Sequence, residues 1–311
     1  MPTLDLIAEH PGADGRALAV APGTGGWASC DGLAVEVRDA AGALQRRVAS
    51  PGALLFGLAY AAGGRALVAA PRILDVATGE WAERGDACAA AVAGLPEEAA
   101  RGFAVHDAAV SADARLMVVR VEYRAPRGGG SGGAPGGPTV RVVALDTDGL
   151  TRRAVLWEGA GVTFTALAAA PGLAAAGSAG AIDVWHADGT PAGRVQRGGA
   201  AVTALAFRPD GGTLAGGLAD GTVVVWDAAG GGHVHAPAHA GHVRAVAAHP
   251  DGARIVTGGE DGRVRVLAVT GEVLGEADVG GTVEAVALAP DGDRVLVSRA
   301  RPTPTVRVYA L

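Results

Sequence analysis

The stretches "VTALAFRPDGGTLAGGLADGTVVVWD" (202–227), "VRAVAAHPDGARIVTGGEDGRVRVLA" (243–268) and "VEAVALAPDGDRVLVSRARPTPTVRVYA" (283–310) are one pattern written three times. Pro209-Asp210-Gly211, Pro250-Asp251-Gly252 and Pro290-Asp291-Gly292 recur 41 and 40 residues apart. In each, an apolar run enters a Pro-Asp-Gly turn, and the first two then reach an Asp-Gly hairpin at Asp220-Gly221 and Asp261-Gly262. Asp-Gly between alternating apolar runs is a hairpin signal, because glycine takes positive φ without strain. A fixed period near 40 residues in a β-rich chain marks a propeller blade.

The pattern extends backwards. "FTALAAAPGLAAAGSAGAIDVWHADG" (164–189) fits with Pro171-Gly172 at the first turn, and "RALAVAPGTGGWASCDGLAVEVRDAAG" (16–42) fits with Pro22-Gly23 and Asp31-Gly32. "FGLAYAAGGRALVAAPRILDVATG" (56–79) fits with Gly63-Gly64. "HDAAVSADARLMVVRVEYR" (106–124) followed by "TVRVVALD" (139–146) fits with an insertion. Innermost strands therefore start near 16, 54, 105, 163, 202, 243 and 283. The expected fold is all-β: a seven-bladed propeller spanning 1–311 as one domain, with four antiparallel strands per blade. The last blade runs out after its third strand, so Leu4–Ala8 is expected to supply the fourth and close the ring.

Composition agrees. Hydrophobic residues make up 49% of 311 and aromatics only 4%, so the core must be packed by Ala, Val, Leu and Gly. The chain has no lysine; all 26 basic residues are Arg, an excess read as coding bias. A net charge of −6 spread along the chain gives no footprint for nucleic acid. Cys30 and Cys88 form neither a disulfide framework nor a metal spacing. "MPTLDLIAEH" lacks the marks of a leader peptide, and no run of about 20 apolar residues could span a bilayer. A cytoplasmic chain, monomeric on its own and without membrane partners, is expected.

Trp226-Asp227 at a strand end and Gly241-His242 before a strand are motifs of the WD40 repeat family, which the chain resembles. The resemblance implies a propeller that serves as a platform for a protein or peptide partner rather than as an enzyme. It also implies a buried hydrogen-bonded set in which His242, Thr257 and Asp261 take part, with Leu267 where the family has Trp. Asp220 holds the hairpin place one repeat earlier, and Trp185 and Trp226 hold the Trp place in their own repeats.

Loop type separates the two faces. Short turns built on Pro-Gly, Pro-Asp-Gly or Gly-Gly occupy one side. Irregular segments occupy the other, here called the top: 85–103, 122–139, "RARPTP" (299–304) and "HVHAPAHAGH" (233–242). A short helix is expected around Pro96-Glu97-Glu98, and a flexible loop at 122–139. Function concentrates on long loops carried by a rigid scaffold, so binding is expected on top. The residues opening the inner strands there are Arg16, Phe56, His106, Thr165, Thr203, Arg244 and Glu284. Six of the seven residues that follow them are Ala or Gly. Arg101, Arg120, Arg124 and Arg127 flank the insertions and suit an acidic partner.

Other chemistry finds little support. His233, His235 and His239 approach metal-ligand spacing, but no cysteine or neighbouring carboxylate completes the set, and no metal is expected. "GGGSGGAPGG" lacks the Lys-Ser/Thr of a phosphate loop, so no cofactor is expected. His106 with Glu284 is the one acid–base pair worth testing. The alternative reading is a small-molecule binder or enzyme whose pocket is the top mouth, lidded by 85–103 and 122–139. A third is a structural subunit of a larger assembly.

Overall fold

The computed structural model describes residues 3–13, 15–52, 54–61, 64–69, 72–81, 87–95, 103–124, 138–148, 150–227, 233–299 and 302–311. Strand β1 (Leu6–Pro11) is followed by β2 (Ala17–Val20), β3 (Trp27–Cys30), β4 (Ala34–Arg38) and β5 (Leu44–Ala49), then by β6 (Leu58–Ala61), β7 (Ala66–Ala69) and β8 (Arg72–Asp75). A short helix, α1 (Ala87–Val92), precedes β9 (Ala104–Val110), β10 (Leu116–Tyr123), β11 (Thr139–Asp146) and β12 (Arg152–Ala160). Next come β13 (Ala166–Ala170), β14 (Leu173–Gly177), β15 (Ala179–His186), β16 (Pro191–Phe207), β17 (Thr213–Leu218), β18 (Thr222–Asp227) and β19 (His233–Pro237). The chain ends with β20 (Val243–Ala248), β21 (Arg254–Gly259), β22 (Arg263–Ala268), β23 (Val273–Asp278), β24 (Val283–Leu288), β25 (Arg294–Arg299) and β26 (Thr305–Ala310).

These strands form antiparallel sheets of propeller type. The inner strands β2, β6, β9, β13, β16, β20 and β24 are neighbours in that order, and β24 returns to β2. Among the described residues five sheets have four or more strands and a sixth has three, where seven four-stranded sheets were expected. Two features account for the difference. β16 runs unbroken over 17 residues, pairing with β15 through its first part and with β17 through its second. No proline or Asp-Gly interrupts it, and the chain only bends at Gly199, whose φ is +97°. Two repeats thus share one seven-stranded sheet. The β6–β8 sheet lacks a fourth strand, and only a bridge from Leu74 to Trp81 stands in that place. The helix expected near Pro96–Glu98 and most of 122–139 lie outside the described residues, whereas α1 lies earlier in the chain.

The Pro-Asp-Gly turns show why the pattern repeats. The amides of Gly211, Gly252 and Gly292 donate to the carbonyls of Arg208, His249 and Ala289 at 2.8, 3.1 and 2.9 Å. Pro and Asp thus fill the centre of a tight turn, and Gly follows at φ between +74° and +83°. The aspartates cap their own turns: Oδ1 of Asp210, Asp251 and Asp291 accepts the amides of Gly212, Ala253 and Asp293.

Glycine also sets the spacing between successive repeats. A Cβ at Gly177, Gly217 or Gly258 would lie 2.4, 2.5 or 2.2 Å from Cγ1 of Val202, Val243 or Val283. Each of these valines on the following inner strand therefore seats in a notch that only glycine leaves open. Those three valines are at most 1% exposed, and each such burial contributes about 2 kcal/mol. The core is a chain of clusters in which Ala, Val and Leu predominate; one joins Ala245 and Val256 to Val283 and Val297.

β1 pairs antiparallel with β26, from Leu6 opposite Tyr309 to Pro11 opposite Thr305. The paired strand thus runs Leu6–Pro11, later than the expected 4–8. Residues 3 and 4 instead reach β23, where Leu4 N donates to Glu276 O at 3.0 Å.

Candidate functional site

The structure divides the seven positions expected to ring the top mouth by use. Thr165 and Thr203 are structural. The Thr165 hydroxyl lies 2.5 Å from the carbonyl of Val202, and that of Thr203 lies 2.6 Å from the carbonyl of Val243. Each hydroxyl donates across to the next inner strand. Phe56 is half-buried against Val68, Val119 and Val121. Arg16, His106 and Arg244 are exposed, and Glu284 is half-buried. Arg244 Nη2 sits 2.7 Å from Glu260 Oε1, and His106 Nε2 sits 3.6 Å from Glu122 Oε2. The ionic partner of His106 is therefore Glu122, not the expected Glu284. Glu122 is on the neighbouring strand, where the ladder shifts register between Arg120 and Val121. Arg124 is exposed, and Arg101 and Arg127 lie outside the described residues.

The buried polar set of the 243–278 repeat corrects one assignment. His239, not His242, is the buried histidine: its side chain is 0% exposed, against 47% for His242. His239 Nδ1 meets Asp261 Oδ1 at 2.9 Å and Nε2 meets Thr257 Oγ1 at 2.9 Å. Burial, and then Arg265 beside it, lower the His239 pKa, and Asp261 opposes them. The ring is neutral at pH 7, donates from Nδ1 to Asp261 and accepts the Thr257 hydroxyl at Nε2. Burial alone would raise the Asp261 carboxyl; hydrogen bonds from Arg265 and His239 outweigh it and hold it at about 2. Arg265 continues the chain to Asp261 Oδ2 at 2.9 Å and to Glu276 at 3.0 Å. The spacing to Val243, the first residue of β20, is what separates the two histidines: His239 is four residues ahead of it, and His242 adjoins it. Asp220 accepts the amide of Thr222 at 3.0 Å. Trp185 and Trp226 are 7% and 6% exposed. Gly193 leaves the space for Trp226, since a Cβ there would fall 2.9 Å from the indole.

His233 and His235 stack edge to face at 4.9 Å, but both ring nitrogens of His239 are committed to Asp261 and Thr257. Among the described residues no three His, Cys, Asp or Glu side chains are grouped to hold a metal ion. Burial pushes the Cys30 thiol up to about 11, so it stays protonated at neutral pH.

Sequence reasoning missed a second polar set, on β10–β12, in which Arg141 and Tyr123 are buried and Glu158 is exposed. Arg141, 6% exposed, holds Glu158 through Nε and Nη2 at 3.1 Å each, and Tyr123 donates to the same carboxylate. Arg141 Nη1 also reaches the carbonyls of Ala91 and Ala93 at 3.4 and 3.3 Å. Ala91 and Val92 pack into the cluster of Val68, Val119 and Val143, so α1 lies against the β9–β12 sheet.

The face expected to be blank carries clefts. The turn-side end of the channel holds about 240 Å³ lined by Leu58, Ala109, Leu167, Leu205 and Phe207. Between repeats on that side lies a groove of about 610 Å³ edged by Arg208, Asp227, His233 and Thr270, and others of about 350 and 270 Å³. These are open grooves.

Comparison with known proteins adds one match. The family described as "WD domain, G-beta repeat" matches residues 193–227 and 233–266. These are the stretches that hold Trp226-Asp227 and the His239–Thr257–Asp261 set. No curated protein matches the chain.

Proposed function

We propose that this chain, a propeller carrying WD40 repeats at 193–227 and 233–266, is a non-catalytic interaction scaffold that holds a protein or peptide partner at its top mouth. Repeats of this kind support protein interaction in general; the face and the residues are our reading. One observation supports it: Arg16, His106 and Arg244 are exposed, at or near the starts of three different inner strands. Such groups on rigid strands can orient a partner with little ordering cost. The enzyme reading gains nothing from His106, whose ionic partner is another half-exposed surface group.

Replacing Arg16, His106 and Arg244 together by Ala should abolish capture of the partner while leaving thermal unfolding within a few degrees of the parent. None of the three is buried, and substitutions at exposed positions usually cost within about 0.5 kcal/mol. Capture by the triple variant at parental affinity rules out this mouth. Loss of capture by variants of the turn-face groove, such as His233→Ala with Thr270→Ala, would move the site to the opposite face.

A further inference from the structure

The first repeat departs from the later ones at one point of its surface. In two later repeats the carbonyl of the hairpin glycine, Gly221 or Gly262, accepts the amide of Ala238 or Val279 at 2.9 Å. In the first repeat the carbonyl of Gly32 accepts the amide of Leu55 at the same 2.9 Å. The residue after the glycine and the residue before the amide are Thr222 and Pro237 in one later repeat, and Arg263 and Asp278 in the other. In the first repeat they are Leu33 and Leu54. Leu33 is 66% exposed, the most of any large apolar side chain among the described residues, and Leu54 is 54% exposed. Leu55 is buried, so the core is supplied here and two further leucines are still shown to solvent. Hydrogen bonds hold this display in place. Asp31 Oδ1 accepts the amides of Leu33 and Ala34 at 2.7 Å each, and the Ser50 amide donates to the Leu33 carbonyl at 2.7 Å. Arg47 reaches Asp31 at 3.2 Å and Glu36 at 2.7 Å, so the charges of the hairpin are balanced. Arg16 adjoins the same loop. Its amide donates to the Cys30 carbonyl at 2.7 Å, and Cys30 Sγ accepts the amide of Gly32 at 3.2 Å. The Arg16 side chain is exposed and, among the described residues, no carboxylate pairs with it.

We propose that Leu33, Leu54 and Arg16 form a docking point for a peptide segment in which an apolar side chain adjoins an acidic one. The proposal rests on reading the chain as an interaction scaffold, and it names the chemistry of the partner. Two leucines on a hydrogen-bonded loop gain by being covered, and the loop has little freedom left to lose on binding. The acidic half follows from charge. Arg47 is already engaged, so Arg16 is the cation left for an incoming group, and its planar guanidinium fits a carboxylate with two parallel hydrogen bonds. A basic segment would meet Arg16 with like charge. A wholly apolar one would strip water from Arg16 and return nothing.

The test uses a display library of random short peptides selected on the full chain. Selected peptides are synthesised and titrated against the parent, Leu33→Thr with Leu54→Thr, Arg16→Gln, and His106→Ala with Arg244→Ala. The peptides should share an acidic residue close to a Leu, Ile, Phe or Met. The double leucine variant should weaken them by about tenfold or more, and Arg16→Gln by about fivefold with a loss of salt dependence. A basic or featureless consensus, a library that yields no binder, or parental affinity for either the leucine variant or Arg16→Gln overturns the docking point. The mouth reading fails separately. Peptides that ignore the leucine variant but are lost from the His106/Arg244 variant keep the mouth and remove the docking point. Peptides lost from the leucine and Arg16 variants but held by the His106/Arg244 variant keep the docking point and remove the mouth. If the double leucine variant does not fold, Arg16→Gln and the peptide consensus decide the matter.

Discussion

At the scale of single residues, His239 and Asp261 do opposite electrostatic work for one purpose. His239 stays neutral because burial disfavours its charge, so acidification must force a proton into a filled site. Its contribution is present above about pH 6.5 and is lost as pH falls below that. Asp261 stays ionised through Arg265 and His239, and its contribution is lost between about pH 4 and 2. Thermal unfolding followed from pH 7 to 3 should show stability falling in both windows. Asp261→Asn should flatten the lower window and His239→Gln the upper one. At pH 7 Asp261→Ala should cost about 2 kcal/mol, the scale of a hydrogen bond to a charged group. Thr257 and Asp261 stand out in the sequence because the Asp-Gly hairpin fixes their register. The histidine did not, because Ala240 and Gly241 separate two histidines and only the three-dimensional start of β20 decides between them.

At the scale of elements, the turns are linked to one another as well as closed on themselves. His249 Nε2 lies 2.8 Å from the carbonyl of Gly292, the glycine of the next Pro-Asp-Gly. A Cβ at Gly292 would fall 2.5 Å from that imidazole, and its φ is +82°. Gly172 has a similar φ of +75° with nothing within 4 Å of its Cβ. Gly172→Ala should therefore cost about 1–2 kcal/mol from backbone strain alone. Gly292→Ala should cost clearly more, and the difference, read by denaturant unfolding, measures the His249 contact. Equal costs would mean that the imidazole moves aside freely. Turn and strand positions were legible in the sequence because Asp, Gly and Pro act locally. The sheet count was not. Whether a connection breaks into two strands or runs straight through, as β16 does, depends on pairing partners on both sides.

At the scale of the whole molecule, β1 and β26 join sequence-distant segments in one sheet. Removing residues 1–11 takes away the partner of β26 and the ion pairs of Glu9 with Arg299 and Arg307. Calorimetry should show one lowered transition for the truncated chain, not an unchanged transition with a frayed end. The sequence indicated the need for a closing strand because the last repeat stops one strand short. It could not place the register, since Leu6 and Ile7 remain about half exposed and carry little of the in-out alternation that fixes one.

That same pairing has a mechanical consequence. Leu6 lies opposite Tyr309, so the segment leading into β1 and the residue following β26 emerge at the same end of the ladder. Tension applied there would load the β1–β26 hydrogen bonds one after another, like the teeth of a zip, rather than shearing them together. A chain tethered through both of these points would open its ring at low force, starting from Leu6.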